Sequence, residues 1–220
     1  MEAGAEDCER RLADFYNRRA ASGADHPPSR HRVEQRRRFI ALLKSEGRHS
    51  VLEIGTGTGL DGLQFVQSGI HYTGVDLAEG QVRRARARGL DVSVASARSL
   101  PFPDGSFPAM WCMSTLLHIP ARDLDAVLVE LVRVCAPDAL IAVGLWSGND
   151  EAELNPEDDV EPRFFCRRTD RTVREVFGRH GAIEDFVTWP EGTGTESGPG
   201  GGYWTQHYQF LVLRTPARMS

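Results

Sequence analysis

The spacing of hydrophobic and polar positions along the 220 residues changes several times, and each change marks an element. Around residues 5 to 21, Cys8, Leu12, Phe15 and Arg19 recur at helical spacing, which predicts a short amphipathic helix that packs on a domain or covers a site. Ser22-Gly23 and Pro27-Pro28 end it. A second helix is expected from Ser29, as N-cap, to Ser45, with Val33, Ile40 and Leu43 turned inward. After Gly47 the pattern shortens. Val51 to Ile54 reads as an apolar strand, followed at once by Gly55-Thr56-Gly57-Thr58-Gly59 and a helix through Val66. His71 to Val75 is the next strand and ends at Asp76. A helix over 79–88, strands over 91–95 and 109–113, a helix over 122–134 and a strand over 140–146 follow.

Strands alternating with helices predict an α/β fold with a doubly wound, mostly parallel sheet. The tail differs. Residues 147–163 are acidic and rich in Pro and Asn, and no regular structure is expected there. A helix over 170–180 is followed by strands over 182–189 and 203–213 with only a Gly-rich loop between them. Consecutive strands without a crossover helix are antiparallel, so the seven-stranded sheet should finish in a hairpin. The expected organisation is an N-terminal helical lid (1–46) on one domain (47–220), with 147–168 inserted on the substrate side.

Composition narrows the function classes. A chain that is 40% hydrophobic and 26% charged has the balance of an ordinary globular protein. A net charge of -5 opposes general nucleic-acid binding, and the arginine clusters at 36–38 and 83–88 read as solvated helix faces. Cys8, Cys112, Cys135 and Cys166 are scattered without zinc spacing, so neither a metal nor a disulfide framework is expected. The acidic N-terminus lacks the apolar core of a signal peptide, and no apolar run reaches bilayer length. These features predict a cytoplasmic protein, monomeric or homodimeric, with no membrane partner. Arginine in place of lysine almost everywhere, with abundant Ala and Gly, suggests a GC-rich bacterial genome.

The informative stretch is VLEIGTGTG, with VDLAEG about twenty residues later. Glycines after a first parallel strand allow a tight turn close to a ligand, and a carboxylate at the end of the second strand can accept both hydroxyls of a ribose. A dinucleotide fingerprint would need a third glycine at position 60, which is Leu60; the third glycine is Gly59. Glu53 would repel a pyrophosphate and suits the cationic end of an amino-acid moiety.

On these residues the sequence resembles class I S-adenosylmethionine-dependent methyltransferases, especially the ubiquinone/menaquinone-biosynthesis type. Their acidic residue followed by GxGxG is matched by Glu53 to Gly59, and their second-strand acid by Asp76. Their LPF-x-DGSFD segment is matched by Leu100 to Phe107, and the segment before their fifth strand by Glu130 to Ala139. The resemblance covers roughly residues 48–146. Three positions depart from it: Ser96 stands in place of an Asp, Pro108 in place of an Asp, and Pro137-Asp138-Ala139 in place of Pro-Gly-Gly.

The resemblance implies S-adenosylmethionine as methyl donor, no metal, and a small-molecule acceptor. It implies cofactor contacts from Glu53, Gly55, Thr56, Gly57, Gly59, Asp76 and Met113, with Leu77 beside the adenine. The adenine amino group is left to Ser96 or to the backbone at Ala97 and Arg98. In relatives an N-terminal Tyr closes over the sulfonium, a role that falls to Tyr16. His118, after the fourth strand, is either a general base or a backbone-bonding structural residue. Glu34 either orients a substrate nitrogen or pairs with Arg38 one helical turn later. Phe15, Trp146, Phe165 and Trp204 are candidates for the acceptor wall, and an aromatic or indole-like secondary metabolite, methylated at C or N, is the expected acceptor. The rivals are a nicotinamide oxidoreductase, disfavoured by Leu60, and a methyltransferase-like module that holds the cofactor without catalysis.

Overall fold

The computed structural model describes residues 5–23, 25, 27–154, 163–190 and 207–217. The helix α1 spans Ala5–Ala21, and α2 spans Arg30–Ser45, whose first turn is capped by the Ser29 hydroxyl accepting from the Arg32 amide. Then come β1 (Ser50–Ile54), α3 (Leu60–Gln67), β2 (His71–Asp76), α4 (Glu79–Ala87), β3 (Val92–Val94) and β4 (Phe107–Met113). A 3-10 turn over Leu116–His118 leads to α5 (Ala121–Val134) and β5 (Cys135–Trp146). The tail contributes β6 (Ala152–Leu154), β7 (Phe164–Cys166), α6 (Asp170–Phe177), β8 (Ala182–Pro190) and β9 (His207–Arg214).

Among the described residues, seven strands form one sheet in the order β3-β2-β1-β4-β5-β9-β8. The first five are parallel; β9 runs antiparallel to both β5 and β8, so the expected hairpin closes the sheet with β8 at its edge. One expectation fails. Residues 147–163 were expected to lack regular structure, yet β6 lies within them and pairs antiparallel with β7 as a separate two-stranded sheet. A short polar segment carries no period of its own, and its strand forms because Phe165 and Cys166 on β7 bury against the main core.

Burial on both faces follows the period of two along the strands. Met110 and Cys112 of β4 face the core shared with α5 and α6, whereas Ala109, Trp111 and Met113 face the core shared with α2, α3 and α4. Phe39, Ile40 and Leu43 embed α2 in that second core, while α1 packs on α4, where Asn17 Oδ1 accepts the Gly80 amide at 2.7 Å. Two of the departures meet at Arg48, which donates to the Pro108 carbonyl (3.1 Å) and to the carbonyl and carboxylate of Asp138 (2.6 and 2.9 Å). Asp138 has φ of 63°, the left-handed backbone for which Asp is among the better-suited non-glycine residues.

Candidate active site

The carboxyl edge of the parallel strands opens on a cavity of about 320 Å³, within the size range of small-ligand sites. Its floor is the turn after β1. The turn is clamped to β2: the amides of Gly55 and Thr56 both donate to the Val75 carbonyl, at 2.8 and 3.1 Å. The Gly57 amide donates to Asp76 Oδ2 at 2.8 Å, and the Ala78 amide to Oδ1 at 2.9 Å. These amides are therefore satisfied within the protein, and the turn contributes shape more than donors. Gly57 has φ of 53° and open space where a side chain would stand, on the cavity wall. Gly59 does not line the cavity; it abuts Leu90 and Ala85, letting α3 start close against α4.

Each Asp76 oxygen keeps acceptor capacity beside its backbone bond, the arrangement a pair of vicinal hydroxyls requires. Burial pushes its pKa above the ordinary 3.8, against the lowering effect of the Ala78 and Gly57 amides. Glu53 is buried and off the cavity wall; its Oε2 accepts the Tyr72 hydroxyl at 2.6 Å, and burial, with Asp61 nearby, raises its pKa well above 4.5. Thr56, Leu77, Ser96, Ala97, Arg98 and Met113 all line the cavity.

At the opposite end stand Tyr16 and His118. His118 Nδ1 lies 2.8 Å from the Phe164 carbonyl, which can only accept, so Nδ1 carries the proton and Nε2 is left as an acceptor. The Tyr16 hydroxyl is 3.2 Å from that Nε2. Burial holds the phenol above its ordinary 10.0, against the pull of Arg163, so it stays protonated and donates. The 3-10 turn carrying His118 is fixed by buried Arg168, which donates to the carbonyls of Leu116 (3.2 Å), Cys166 (2.9 Å) and Ile119 (2.7 Å). At the tip of β4, Ser114 takes φ of 53° and its hydroxyl meets Tyr208 at 2.9 Å.

Phe15, Phe165 and Trp146, expected on the acceptor wall, all lie off the cavity lining. Phe165 packs on His118 with centroids 4.8 Å apart, and Phe15 meets Tyr16 edge-on at 5.2 Å under the Arg163 guanidinium. Trp146 does not line the cavity; it packs edge-on against Tyr208. Trp204 lies outside the described residues. Glu34 is half exposed and paired with Arg38 at 2.6 Å, away from the cavity.

Two cavity groups went unread in the sequence. Asp61, in the first turn of α3, is buried between Arg32 (2.5 Å) and Arg36 and accepts Trp111 Nε1 at 2.9 Å. The i, i+4 spacing of Arg32 and Arg36 on α2 was the available signal. Glu9 of α1 also lines the cavity and bonds Ser96; a lone acid on an amphipathic helix gives no sign of that.

Residues 51–138 match the family model described as "Methyltransferase domain". Over this stretch the chain carries a methyltransferase domain and is similar to S-adenosylmethionine-dependent methyltransferases of the class that the motifs suggest. It is 33% identical over 138 residues to demethylmenaquinone methyltransferase of Thermus thermophilus, covering 59% of each chain. It is 30% identical over 116 residues to 27-O-demethylrifamycin SV methyltransferase of Amycolatopsis mediterranei, covering 49% of this chain and 42% of that one. The chain thus spans about half the length of these curated methyltransferases. Among solved structures, the 1,6-didemethyltoxoflavin-N1-methyltransferase of Burkholderia thailandensis, with bound 1,6-didemethyltoxoflavin and S-adenosylhomocysteine, shares the methyltransferase fold. Its TM-score is 0.71 at 19% identity, covering 98% of this chain and 92% of that one. Among the described residues, no helix is long and apolar enough to cross a membrane, and no group of three or more His, Cys, Asp or Glu could hold a metal ion.

Proposed function

We propose that this protein transfers a methyl group from S-adenosylmethionine to a small aromatic molecule, a secondary metabolite, at a nitrogen or carbon that sheds a proton on methylation. The observation that carries this reading is the pairing of Tyr16 with the acceptor-competent Nε2 of His118 in the same cavity that Asp76 lines. The residues present fit the donor. Asp76 offers two oxygens to a ribose, and Gly57 leaves open the volume a side chain would fill.

Bound S-adenosylmethionine would supply an already activated methyl group. What remains for the chain is placement, exclusion of water and proton management. Phe165 and Phe15 pack against His118 and Tyr16 and hold those rings in place, while Leu12, Met113 and Ile119 give the cavity wall apolar surface on which a flat acceptor can lie. His118 Nε2 can take the acceptor's proton once the Tyr16 hydroxyl gives up its bond to that nitrogen, since the Nδ1 proton is held by the Phe164 carbonyl and the imidazolium so formed keeps that bond. Tyr16 and α1 above the cavity keep water from the reacting atoms.

The test is to incubate the protein with S-adenosylmethionine and a panel of N–H heteroaromatic, phenolic and indole acceptors. Methylated product, with release of S-adenosylhomocysteine, supports the reading. Tight binding of the donor with no transfer to any member returns the non-catalytic module.

A further inference from the structure

Sheet order sets four strand tips side by side along the cavity: β4, followed by His118; β1, followed by the glycine turn; β2, ending in Asp76; and β3, followed by Ser96. A ligand lying along this row, with its ribose at Asp76 and its reactive end toward His118, has its base at the tip of β3. Among the described residues, three carboxylates line the cavity. Asp61 is committed to Arg32, Arg36 and Trp111, and Asp76 is the group at the tip of β2. The third is Glu9, from α1, and it stands at the base end. The Ser96 hydroxyl donates to Glu9 Oε1 at 2.6 Å while accepting the Arg98 amide at 3.0 Å, so its one proton is already used. Arg98 Nε lies 3.0 Å from the same Glu9 oxygen, and its other arm reaches Asp123 at 2.9 Å.

We propose that Glu9 is the acceptor that selects a 6-amino purine, making α1 one wall of the adenine pocket. This rests on the methyltransferase reading and extends it to a residue outside the glycine and strand-tip motifs. Ser96 and Arg98 both hold Oε1, which orients the carboxylate and leaves Oε2 for a ligand amine. A carboxylate accepts from the exocyclic N–H of adenine but repels the oxygen of a 6-oxo purine, so Glu9 acts on choice of base as well as on affinity. Because Glu9 sits on α1, filling the base pocket also ties this helix over the Tyr16–His118 end.

The experiment measures dissociation constants by calorimetry for S-adenosylhomocysteine and its 6-oxo analogue, S-inosylhomocysteine. The proteins are wild type, Glu9→Ala, and Glu9→Ala combined with Ser96→Asp. Wild type should prefer the amino ligand by at least about tenfold, the size expected for one hydrogen bond to a charged group. Glu9→Ala should erase most of that preference, and Ser96→Asp should restore it by setting a carboxylate at the same place. The ratio of the two constants is insensitive to a fraction of unfolded protein, so it separates recognition from stability. An unchanged ratio in Glu9→Ala overturns the assignment while leaving the methyltransferase reading intact. Failure of the wild type to bind either ligand overturns both.

Discussion

The hydroxyl of Tyr16 lies 3.2 Å from Nε2 of His118, although 102 positions separate the two residues in the chain. One comes from α1 and the other from the turn after β4, so the pair exists only when α1 is docked. If His118 takes the acceptor's proton, His118→Ala should lower kcat by about 10²- to 10⁴-fold with little change in donor affinity. Tyr16→Phe, which keeps the ring and removes the hydroxyl, should lower kcat far less. Equal kcat in wild type and His118→Ala would confine the imidazole to a structural role.

Asp76→Ala should weaken S-adenosylhomocysteine binding by about 1.5–3 kcal/mol, the value of a charge-assisted hydrogen bond. Burial raises the pKa of this carboxyl above 3.8, so the folded protein holds the proton more tightly than an exposed Asp would. Affinity should therefore fall as pH drops, and should start to fall above the range where an ordinary Asp protonates. Calorimetric titrations across acidic pH check this. Flat affinity in wild type, or none lost in the variant, would place the ribose elsewhere.

Gly55 and Gly57 share a positive φ but should respond differently to alanine. A side chain at Gly55 would run into Thr115 at a φ of 75°, so Gly55→Ala should lower Tm through clash and backbone strain, on the order of 1–3 kcal/mol. At Gly57 the space is open and part of the cavity, so Gly57→Ala should cost about 1 kcal/mol of stability yet weaken the donor's binding more. Thermal melts with and without S-adenosylhomocysteine distinguish the two; identical profiles would contradict it.

Glu53→Gln tests a buried carboxyl whose pKa is raised by burial and by Asp61, against the Tyr72 hydroxyl and Arg32, with Asp76 adding to the rise. The folded state retains this proton after the unfolded chain has lost it near 4.5, so wild-type stability falls as pH climbs above that value. Glutamine keeps an acceptor for Tyr72 without the ionisation. Its stability relative to wild type should grow from pH 4.5 upward, reaching on the order of 1 kcal/mol. Denaturant midpoints at several pH values give the slope, and parallel curves would refute it.

The strand and helix periods, the Ser29 cap and the antiparallel finish are local properties of neighbouring residues, and they were legible in the chain. So was the glycine turn, because few sequences place small residues and a second-strand acid at that spacing. β6 was not legible, since three residues, Ala152–Leu154, are too few to show a period of their own. Nor was the place of Trp146, whose position at a strand end suggested the acceptor wall but which packs edge-on with Tyr208, off the cavity.

Sequence alone determined the fold class, the order of the main sheet's elements and the glycine turn after the first strand, because each depends on residues within a turn or strand of one another. Only the tertiary structure decided which side chains meet. It joined Tyr16 to His118, Glu9 to Ser96 and Asp61 to Arg32 across 102, 87 and 29 positions. Such contacts are set by how the helices pack over the strand tips, and packing is a property of the whole core, which no single segment encodes.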